Sequence, residues 1–170
     1  MASIPGFVDL QVNGFMGVNF SDPDLTEPSF VEASRALLSQ GTAAFLPTVI
    51  TSPIEVYARN LPLIARAAGC DDLRGRVLGI HLEGPFISDR PGAVGAHNPD
   101  YVQAADVDLL EQLLSWGEGM VRLITVAAEV PGIEALVRVA VDRGVAVSIG
   151  HSLFTAEDLD RMSQAGAMAM

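Results

Sequence analysis

Short apolar runs alternate with longer amphipathic segments along the chain, and this alternation limits the possible folds more than any other feature. The apolar runs, rich in β-branched residues, cover positions 6–13, 43–48, 76–83, 121–127 and 145–150. Segments with helical periodicity cover positions 29–40, 54–68, 107–116, 132–143 and 156–165. Five strand–helix units in series predict an α/β fold with a parallel sheet whose strands are covered on both faces.

Residues that favour helix ends flank the periodic segments. Helix starts are predicted at Thr26 or Ser29, at Ser52 with Pro53, and at Thr155. Left-handed glycines that end helices are expected at Gly41, Gly69, Gly144 and Gly166. These signals support the division of the chain into repeated units.

Two architectures compete for such a chain, a doubly wound open sheet and a (β/α)8 TIM barrel. No dinucleotide-binding glycine fingerprint follows a strand, whereas polar residues follow several strands, as they do in barrel active sites. We therefore expect a barrel. A complete barrel needs about 250 residues, and this chain has 170. Residues 1–170 are accordingly expected to form a partial barrel domain of about five βα units, roughly its first two-thirds.

Charge and composition exclude several partners. The chain carries 10 basic and 21 acidic residues, a net charge of −11, so we expect neither nucleic acid nor an anionic membrane as a partner. No apolar run approaches the roughly 20 residues of a transmembrane helix, and residues 1–7 lack signal-peptide features. The single cysteine, Cys70, gives no disulfide framework. A cytoplasmic location is expected.

The segment "GIHLEGPFIS" ends the third apolar run with chemically informative residues. With a period of two, His81 and Glu83 face the same side of the strand. A carboxylate at the mouth of an apolar strand is costly unless it binds a metal or is paired. Glu83 is therefore either a metal ligand or a group satisfied by loop amides, and His81 is interpreted as a hydrogen-bonded support.

A second segment, "VAVSIGHS", places His151 just after the fifth run. Imidazole and carboxylate ligands suit zinc or another first-row divalent ion. Because two such positions follow different strands of one sheet, a metal site involving Glu83 and His151 is the preferred interpretation. In the loop segment "GAHNP", His97 either polarises a substrate carbonyl or is an exposed loop histidine. Glu129 either supports the site or caps the helix after Pro131.

The first run, "GFVDLQVNGF", places Gln11 and Asn13 where many metal-dependent hydrolases of this barrel type carry two histidines. Asp9 shares their face and is interpreted as a buried structural group. The chain also contains no lysine, its ten basic residues all being arginine. A carbamylated lysine therefore cannot bridge two ions, and a carboxylate ligand must come from Asp or Glu.

Six segments together resemble the N-acetylglucosamine-6-phosphate deacetylases of the amidohydrolase superfamily: "PGFVDLQVNG", "GTAAFLPTVITS", "GIHLEGPFIS", "GAHNP", "GHS" and "AGAMAM". The resemblance implies a (β/α)8 barrel that hydrolyses N-acetylglucosamine 6-phosphate to glucosamine 6-phosphate and acetate. It also implies that the protein forms a homodimer. The expected ligand is this small-molecule amino-sugar phosphate.

The resemblance assigns roles to individual residues. Glu83 matches the metal-binding glutamate and His151 the first metal-binding histidine. His97 matches the histidine that contacts substrate and polarises the amide carbonyl, with Gly95 and Ala96 beside it in the substrate loop. Gln11 and Asn13 match a variant in which amides replace two histidines and the second metal is not held. One divalent ion is expected, zinc first, with iron or another first-row ion as the alternative.

Several parts of the family pattern are expected outside this chain. The third protein ligand, a histidine, would follow Met170, and the general-base aspartate would follow the eighth strand. The small β-sandwich domain of typical members is expected to be essentially absent, and Val94 stands where a basic residue is common. The 170-residue chain alone is expected to be inactive. Two alternatives stay open: an amidohydrolase for another N-acyl sugar or a cyclic amide, and a non-catalytic half-barrel that binds a sugar phosphate.

Overall fold

Five parallel strands form one curled sheet, and their spatial order follows the chain. In this computed structural model, which describes residues 6–169, the strands are β1 (Phe7–Val12), β4 (Thr42–Ile50), β5 (Ile80–Glu83), β6 (Val121–Val126) and β7 (Ala146–Ile149), in the order β1-β4-β5-β6-β7. A doubly wound sheet reverses its order at a switch point. The sequential order therefore confirms the predicted barrel type, present as a five-stranded part.

Two features of the sheet differ from the predictions. The third run was expected to be a strand over 76–83, but β5 begins at Ile80, and Val77 before it forms only an isolated bridge with Phe45. A short antiparallel pair, β2 (Gly14–Phe15) and β3 (Val18–Asn19), was not predicted and follows β1 directly.

Five helices cover the outer face of the sheet: α1 (Glu27–Ser39), α2 (Ile54–Ala68), α3 (Val107–Trp116), α4 (Ile133–Asp142) and α5 (Ala156–Ala165). Thr26 caps α1 in a reciprocal capping box with Ser29, and Thr155 forms the same motif with Asp158 at α5. These bonds satisfy amide donors that a helix start leaves free. Among the described helices, none is long and apolar enough to cross a membrane.

Three of the four predicted left-handed glycines have a positive φ at a helix end: Gly41, Gly144 and Gly166. The prediction for Gly69 was wrong, because its φ is −79° and it continues the right-handed turn that closes α2. The start of α2 also differs in detail. Its N-cap is Pro53, and Ser52 makes no capping bond there but donates to the carbonyl of Ile50.

The hydrophobic core lies between the sheet and the helices. Its largest fully buried side chains include Phe30 and Tyr57 from helices and Phe45, Ile80 and Leu82 from strands. Strand β1 is different, because five of its six residues are exposed. Within residues 6–169 it is an edge strand that pairs with β4 alone, so for these residues the prediction that every strand is covered on both faces was wrong at β1.

Residues 1–5 and Met170 lie outside the described residues. The prediction about signal-peptide features in residues 1–7 falls mostly on them, and the last residue of the "AGAMAM" segment is Met170. Just before it, Ala169 forms an isolated parallel bridge with Ser148 of β7. The chain thus continues to pair in sheet order up to that point.

Candidate metal centre

Three side chains converge at the carboxyl edge of the sheet: Glu83, His97 and His151. The Nε2 atom of His151 lies 2.9 Å from Oε1 of Glu83 and 3.2 Å from Nε2 of His97. The remaining distance, from Nε2 of His97 to Oε1 of Glu83, is 3.7 Å. Two residues predicted as metal ligands and one predicted as a substrate contact therefore meet in one group.

Strand register explains why Glu83 and His151 meet. Glu83 is the last residue of β5 and lies level with Thr125 of β6, which is level with Ser148 of β7. Parallel strands end at the same edge of a sheet, so Glu83 at the end of β5 lies close to His151, which follows the end of β7. Glu83 is buried, and its carbonyl accepts a hydrogen bond from the Thr51 hydroxyl at 3.2 Å.

His151 has an unusual backbone and a well-supported ring. Its φ of +49° lies in the left-handed region, which costs a non-glycine residue about 1–3 kcal/mol. Its carbonyl accepts from the amide of Ser88 at 2.9 Å. Its Nδ1 lies 3.0 Å from the carbonyl oxygen of Ala93. Since that carbonyl can only accept, we assign a proton to Nδ1; in the neutral ring this leaves a lone pair on Nε2, and in the charged ring both nitrogens donate.

His97 is buried, so the alternative of an exposed loop histidine was wrong. Its ring meets that of His151 edge-on, with centroids 4.3 Å apart and an interplanar angle of 71°. Its Nδ1 atom is buried without a hydrogen-bond partner in the part of the chain that the structure describes. His97 therefore lacks the ring support that Ala93 gives to His151.

The electrostatics favour an ionised carboxylate at this site. Burial alone would raise the pKa of Glu83, but the hydrogen bonds and charges of His97 and His151 outweigh it and lower the pKa to about 2. Glu83 is therefore negatively charged at neutral pH. A lone pair on His151 Nε2 facing this carboxylate at 2.9 Å needs a proton or a metal cation between them.

The donor triangle fits a small divalent ion. A circle through the three facing atoms has a radius of about 1.9 Å, calculated from their three separations; three corners of a tetrahedron with zinc bonds of about 2.0–2.1 Å give about 1.9 Å as well. One carboxylate and two imidazoles are also a donor set typical of zinc and its neighbours. The residues present therefore fit a metal ion.

His81 lies one step deeper in the sheet than the donor triangle. Its Nε2 is 2.8 Å from the Thr125 hydroxyl and its Nδ1 is 3.3 Å from that of Thr48. Burial lowers the pKa of His81 to about 4 against a smaller opposing effect of the Glu83 charge. His81 is thus a neutral, hydrogen-bonded support, as predicted, and is not part of the donor triangle.

The amides predicted to replace second-metal ligands are not part of the triangle. Gln11 lies on β1 and Asn13 directly follows it, and both residues are exposed. Strand β4 lies between β1 and β5, which carries Glu83. Asp9 was expected to be buried, but it is exposed because β1 is an edge strand, and its Oδ1 accepts from the amide of Gln11 at 3.0 Å.

The loop that carries Gly95 and Ala96 lies against the His151 ring. Gly95 and Ala96 are exposed, and Val94 is partly buried. A Cβ on Gly95 would lie 3.2 Å from Cε1 and 3.3 Å from Nδ1 of His151. With a φ of +60°, this position adopts the left-handed conformation, and an added Cβ would come closer to the His151 ring than ordinary van der Waals contact.

Sequence reasoning missed most of the supporting groups. The carbonyl of Ala93 and the amide of Ser88 carry no residue-specific signal, since any residue has these atoms. Ser152 belongs to the "GHS" segment, yet its contact with Glu129 joins two loops that are distant in sequence. The hydroxyl of Ser152, directly after His151, was the one feature of the sequence that indicated a supporting contact.

Curated relatives of the chain are named as deacetylases of N-acetylated amino-sugar 6-phosphates. No protein-family model matches the chain. The N-acetylglucosamine-6-phosphate deacetylase of Bos taurus is 38% identical over 166 residues, 96% of this chain and 40% of the relative. The Homo sapiens protein of the same name is 40% identical over 152 residues, 88% of this chain and 36% of the relative. The N-acetylgalactosamine-6-phosphate deacetylase of Escherichia coli O157:H7 is 29% identical over 96% of this chain and 42% of that protein.

Solved structures agree with these relatives. The N-acetyl-D-glucosamine-6-phosphate deacetylase from Mycobacterium smegmatis matches with a TM-score of 0.87 at 32% identity, over 97% of this chain and 42% of that one. A mutant of that enzyme in complex with N-acetyl-D-glucosamine-6-phosphate matches with a TM-score of 0.82 at 32% identity, over 97% of this chain and 41% of that one. The chain is therefore a homologue of the N-acetylglucosamine-6-phosphate deacetylases and spans about two-fifths of their length.

Proposed function

We propose that the protein carrying this chain is a metal-dependent amide hydrolase that converts N-acetylglucosamine 6-phosphate to glucosamine 6-phosphate and acetate. The observation that carries the proposal is the convergence of Glu83, His97 and His151 at the carboxyl edge of the sheet, in a chain homologous to deacetylases of that name. The carboxyl edge is where barrels of this type place their active sites.

Of the three atoms in the donor triangle, those of Glu83 and His151 would hold the ion in this mechanism, and His97 Nε2 would face the substrate instead. A histidine outside these residues would be the third ligand. A bound divalent ion, zinc by the donor chemistry, supplies Lewis-acid polarisation and an acidified water. Glu83 contributes a fixed negative charge, and the Nδ1–H of His151 stays on the Ala93 carbonyl so that Nε2 keeps facing the site.

His97 would act on the substrate in the same mechanism. Its Nε2–H donates to the amide carbonyl oxygen, and this bond strengthens as negative charge develops there. The absence of a partner for its Nδ1 in the described chain supports this role, because metal-bound histidines usually donate their second N–H. Gly95 and Ala96 would contact the sugar beside it. The proton transferred to the leaving amine would come from an aspartate outside these residues.

A Glu83→Gln substitution in the full-length protein tests the proposal. We expect loss of bound metal and a fall in deacetylase activity of more than about 100-fold, since the variant loses a ligand rather than only a group that supports one. Glu111→Gln is the matched control, because this carboxylate pairs with Arg143 at 2.6 Å in the helical layer. Full metal content and activity in Glu83→Gln would refute the assignment.

A second substrate is favoured by one comparison. The relative from Escherichia coli O157:H7 is named for N-acetylgalactosamine 6-phosphate, which differs from the first substrate in the configuration of one hydroxyl. The same donor triangle would serve both sugars. Comparing kcat/KM for the two phosphorylated sugars, with N-acetylglucosamine as the unphosphorylated control, decides between them.

A single bound ion is also proposed. Gln11 and Asn13 carry neutral amides, and neither belongs to the donor triangle. Metal analysis of the purified protein should give one ion per chain. Two ions per chain, one of them lost on substitution of Gln11 and Asn13 by alanine, would overturn this stoichiometry.

The homodimer is proposed from the resemblance, and the cytoplasmic location from the single cysteine, which gives no disulfide framework. Light scattering coupled to size-exclusion chromatography measures the mass in solution. A monomeric mass would contradict the dimer.

A further inference from the structure

A hydrogen-bond cluster around Glu129 joins the loops that follow β6 and β7, next to His151. Oε1 of Glu129 accepts from the backbone amide of Leu153 at 2.7 Å. Oε2 accepts from the hydroxyl of Ser152, and the same hydroxyl oxygen accepts from the amide of Ala128 at 3.0 Å. One carboxylate thus fixes the two residues that directly follow His151.

The alternative role of Glu129, capping the next helix, does not fit the structure. Helix α4 has Gly132 as its N-cap, with no side-chain capping bond. Both carboxylate oxygens of Glu129 instead contact the segment after β7. A carboxylate suits this place because it accepts two hydrogen bonds at once, whereas an amide offers only one accepting oxygen.

The backbone of His151 depends on its surroundings. Its left-handed φ of +49° is unfavourable for a residue with a side chain, so neighbouring contacts must hold it. On one side the Ser88 amide binds the His151 carbonyl, and the Ala93 carbonyl binds the ring. On the other side the holding contacts are those of Glu129 to Ser152 and Leu153.

We propose that Glu129 is a positioning residue, which holds the strained turn at His151 and thereby aims the Nε2 of that histidine at Glu83. Its contribution to metal binding rests on the proposed function of the site. Its contribution to the placement of His151 does not, because the contacts of Glu129 are to Ser152 and Leu153 of the chain itself. The two parts can therefore be measured separately.

Three full-length variants test the proposal: Glu129→Ala, Glu129→Gln and, as a matched control, Glu134→Gln. Glu134 lies five positions later and pairs with Arg161 at 2.7 Å, so its substitution also removes a structural carboxylate. In metal-free protein, we expect Glu129→Ala to accelerate hydrogen exchange of the Ser88 amide at least about tenfold, because its acceptor moves with His151. Glu134→Gln should leave that exchange rate unchanged.

Metal binding gives the second readout. Glu129→Ala should raise the dissociation constant for Zn²⁺ about 10–100-fold, as loss of a group that orients a ligand does, and should change the visible absorption of the Co²⁺-substituted protein. Glu129→Gln, which keeps one accepting oxygen, should give a smaller rise. Glu134→Gln should bind both ions as the wild-type protein does.

The outcomes separate this proposal from the proposed function. A folded Glu129→Ala protein with wild-type Ser88 exchange, Zn²⁺ affinity within twofold and an unchanged Co²⁺ spectrum would overturn the positioning role. If Glu129→Ala does not fold, the same readouts on Glu129→Gln decide. If the wild-type protein binds no metal, the proposed function fails, while the Ser88 exchange rates still decide whether Glu129 positions His151.

Discussion

Acidification should destabilise this fold through one buried side chain, His81. The residue is 2% exposed and its ring nitrogens face the hydroxyls of Thr125 and Thr48 at 2.8 and 3.3 Å. A neutral imidazole ring has one nitrogen that donates and one that accepts, and a hydroxyl can be the partner of either. Burial lowers the pKa of His81 from its ordinary value of 6.5 to about 4.

The direction and size of the effect follow from these two pKa values. Above pH 6.5 the ring is neutral in both states, and the full stability is present. As the pH falls from 6.5 towards 4, the unfolded chain gains a proton that the folded chain does not, so stability is lost. The loss amounts to about 2 kcal/mol at pH 5 and about 3 kcal/mol at pH 4.

Urea unfolding of the metal-free full-length protein at pH 7.5 and pH 5 measures this loss, with His81→Gln as the comparison. The wild-type protein should lose about 2 kcal/mol more than the variant between the two pH values, a midpoint difference of about 1 M urea. Glu83 does not interfere, since its pKa of about 2 lies below this range. Equal losses in the two proteins would refute the buried neutral histidine.

Three further predictions concern other contacts. Gly95→Ala should weaken Zn²⁺ binding, because its Cβ would press on the His151 ring. Gly92→Ala is the control, since Gly92 also has a positive φ, +93°, but an added Cβ there meets no atom within 4 Å. Equal Zn²⁺ dissociation constants for the two variants would contradict the reasoning. Tyr57→Phe should lower the free energy of unfolding in urea by about 1 kcal/mol, since the Tyr57 hydroxyl donates to the Ile50 carbonyl at 3.1 Å. An unchanged free energy of unfolding would contradict this prediction. Saturating Zn²⁺ should raise the thermal midpoint and a chelator should reverse it, whereas an unaltered midpoint would argue against a native-state ion site.

Helices were the most predictable part of this fold. The observed bounds of α2, α3 and α5 coincide with the predicted segments, because the residues that start them act locally. Asp106 accepts from two amides at the start of α3, and Thr155 forms a capping box at α5. Such signals lie within a few residues of the element they define, so one sequence suffices to find them.

Strand limits were less predictable because they depend on partners that are distant in sequence. The apolar pattern continues through Val77, yet that residue forms only an isolated bridge with Phe45. A Cβ on Gly79 would collide with the side chain of Arg122, which shows how closely the neighbouring chain approaches there. Nothing in the sequence around Gly79 reveals that neighbour.

Members of the donor triangle that lie at strand ends were predictable from the sequence, and the member that lies in a loop was not. Glu83 and His151 follow directly from strand periodicity and the common edge of a parallel sheet. The buried position of His97 does not, since a loop with several glycines and prolines permits many paths. The support of His151 by Ala93 was also beyond the sequence, because a backbone carbonyl carries no residue-specific mark.

The position of the donor triangle within the sheet has a consequence for local opening. Glu83 and His151 are 68 positions apart, and the strands that carry them, β5 to β7, pair without β1. Within residues 6–169, loss of the β1–β4 ladder leaves those three strands paired. Exposing Glu83 and His151 requires β5 to β7 to separate, which is a larger opening than the loss of one strand. Opening at β1 therefore leaves the donor triangle assembled.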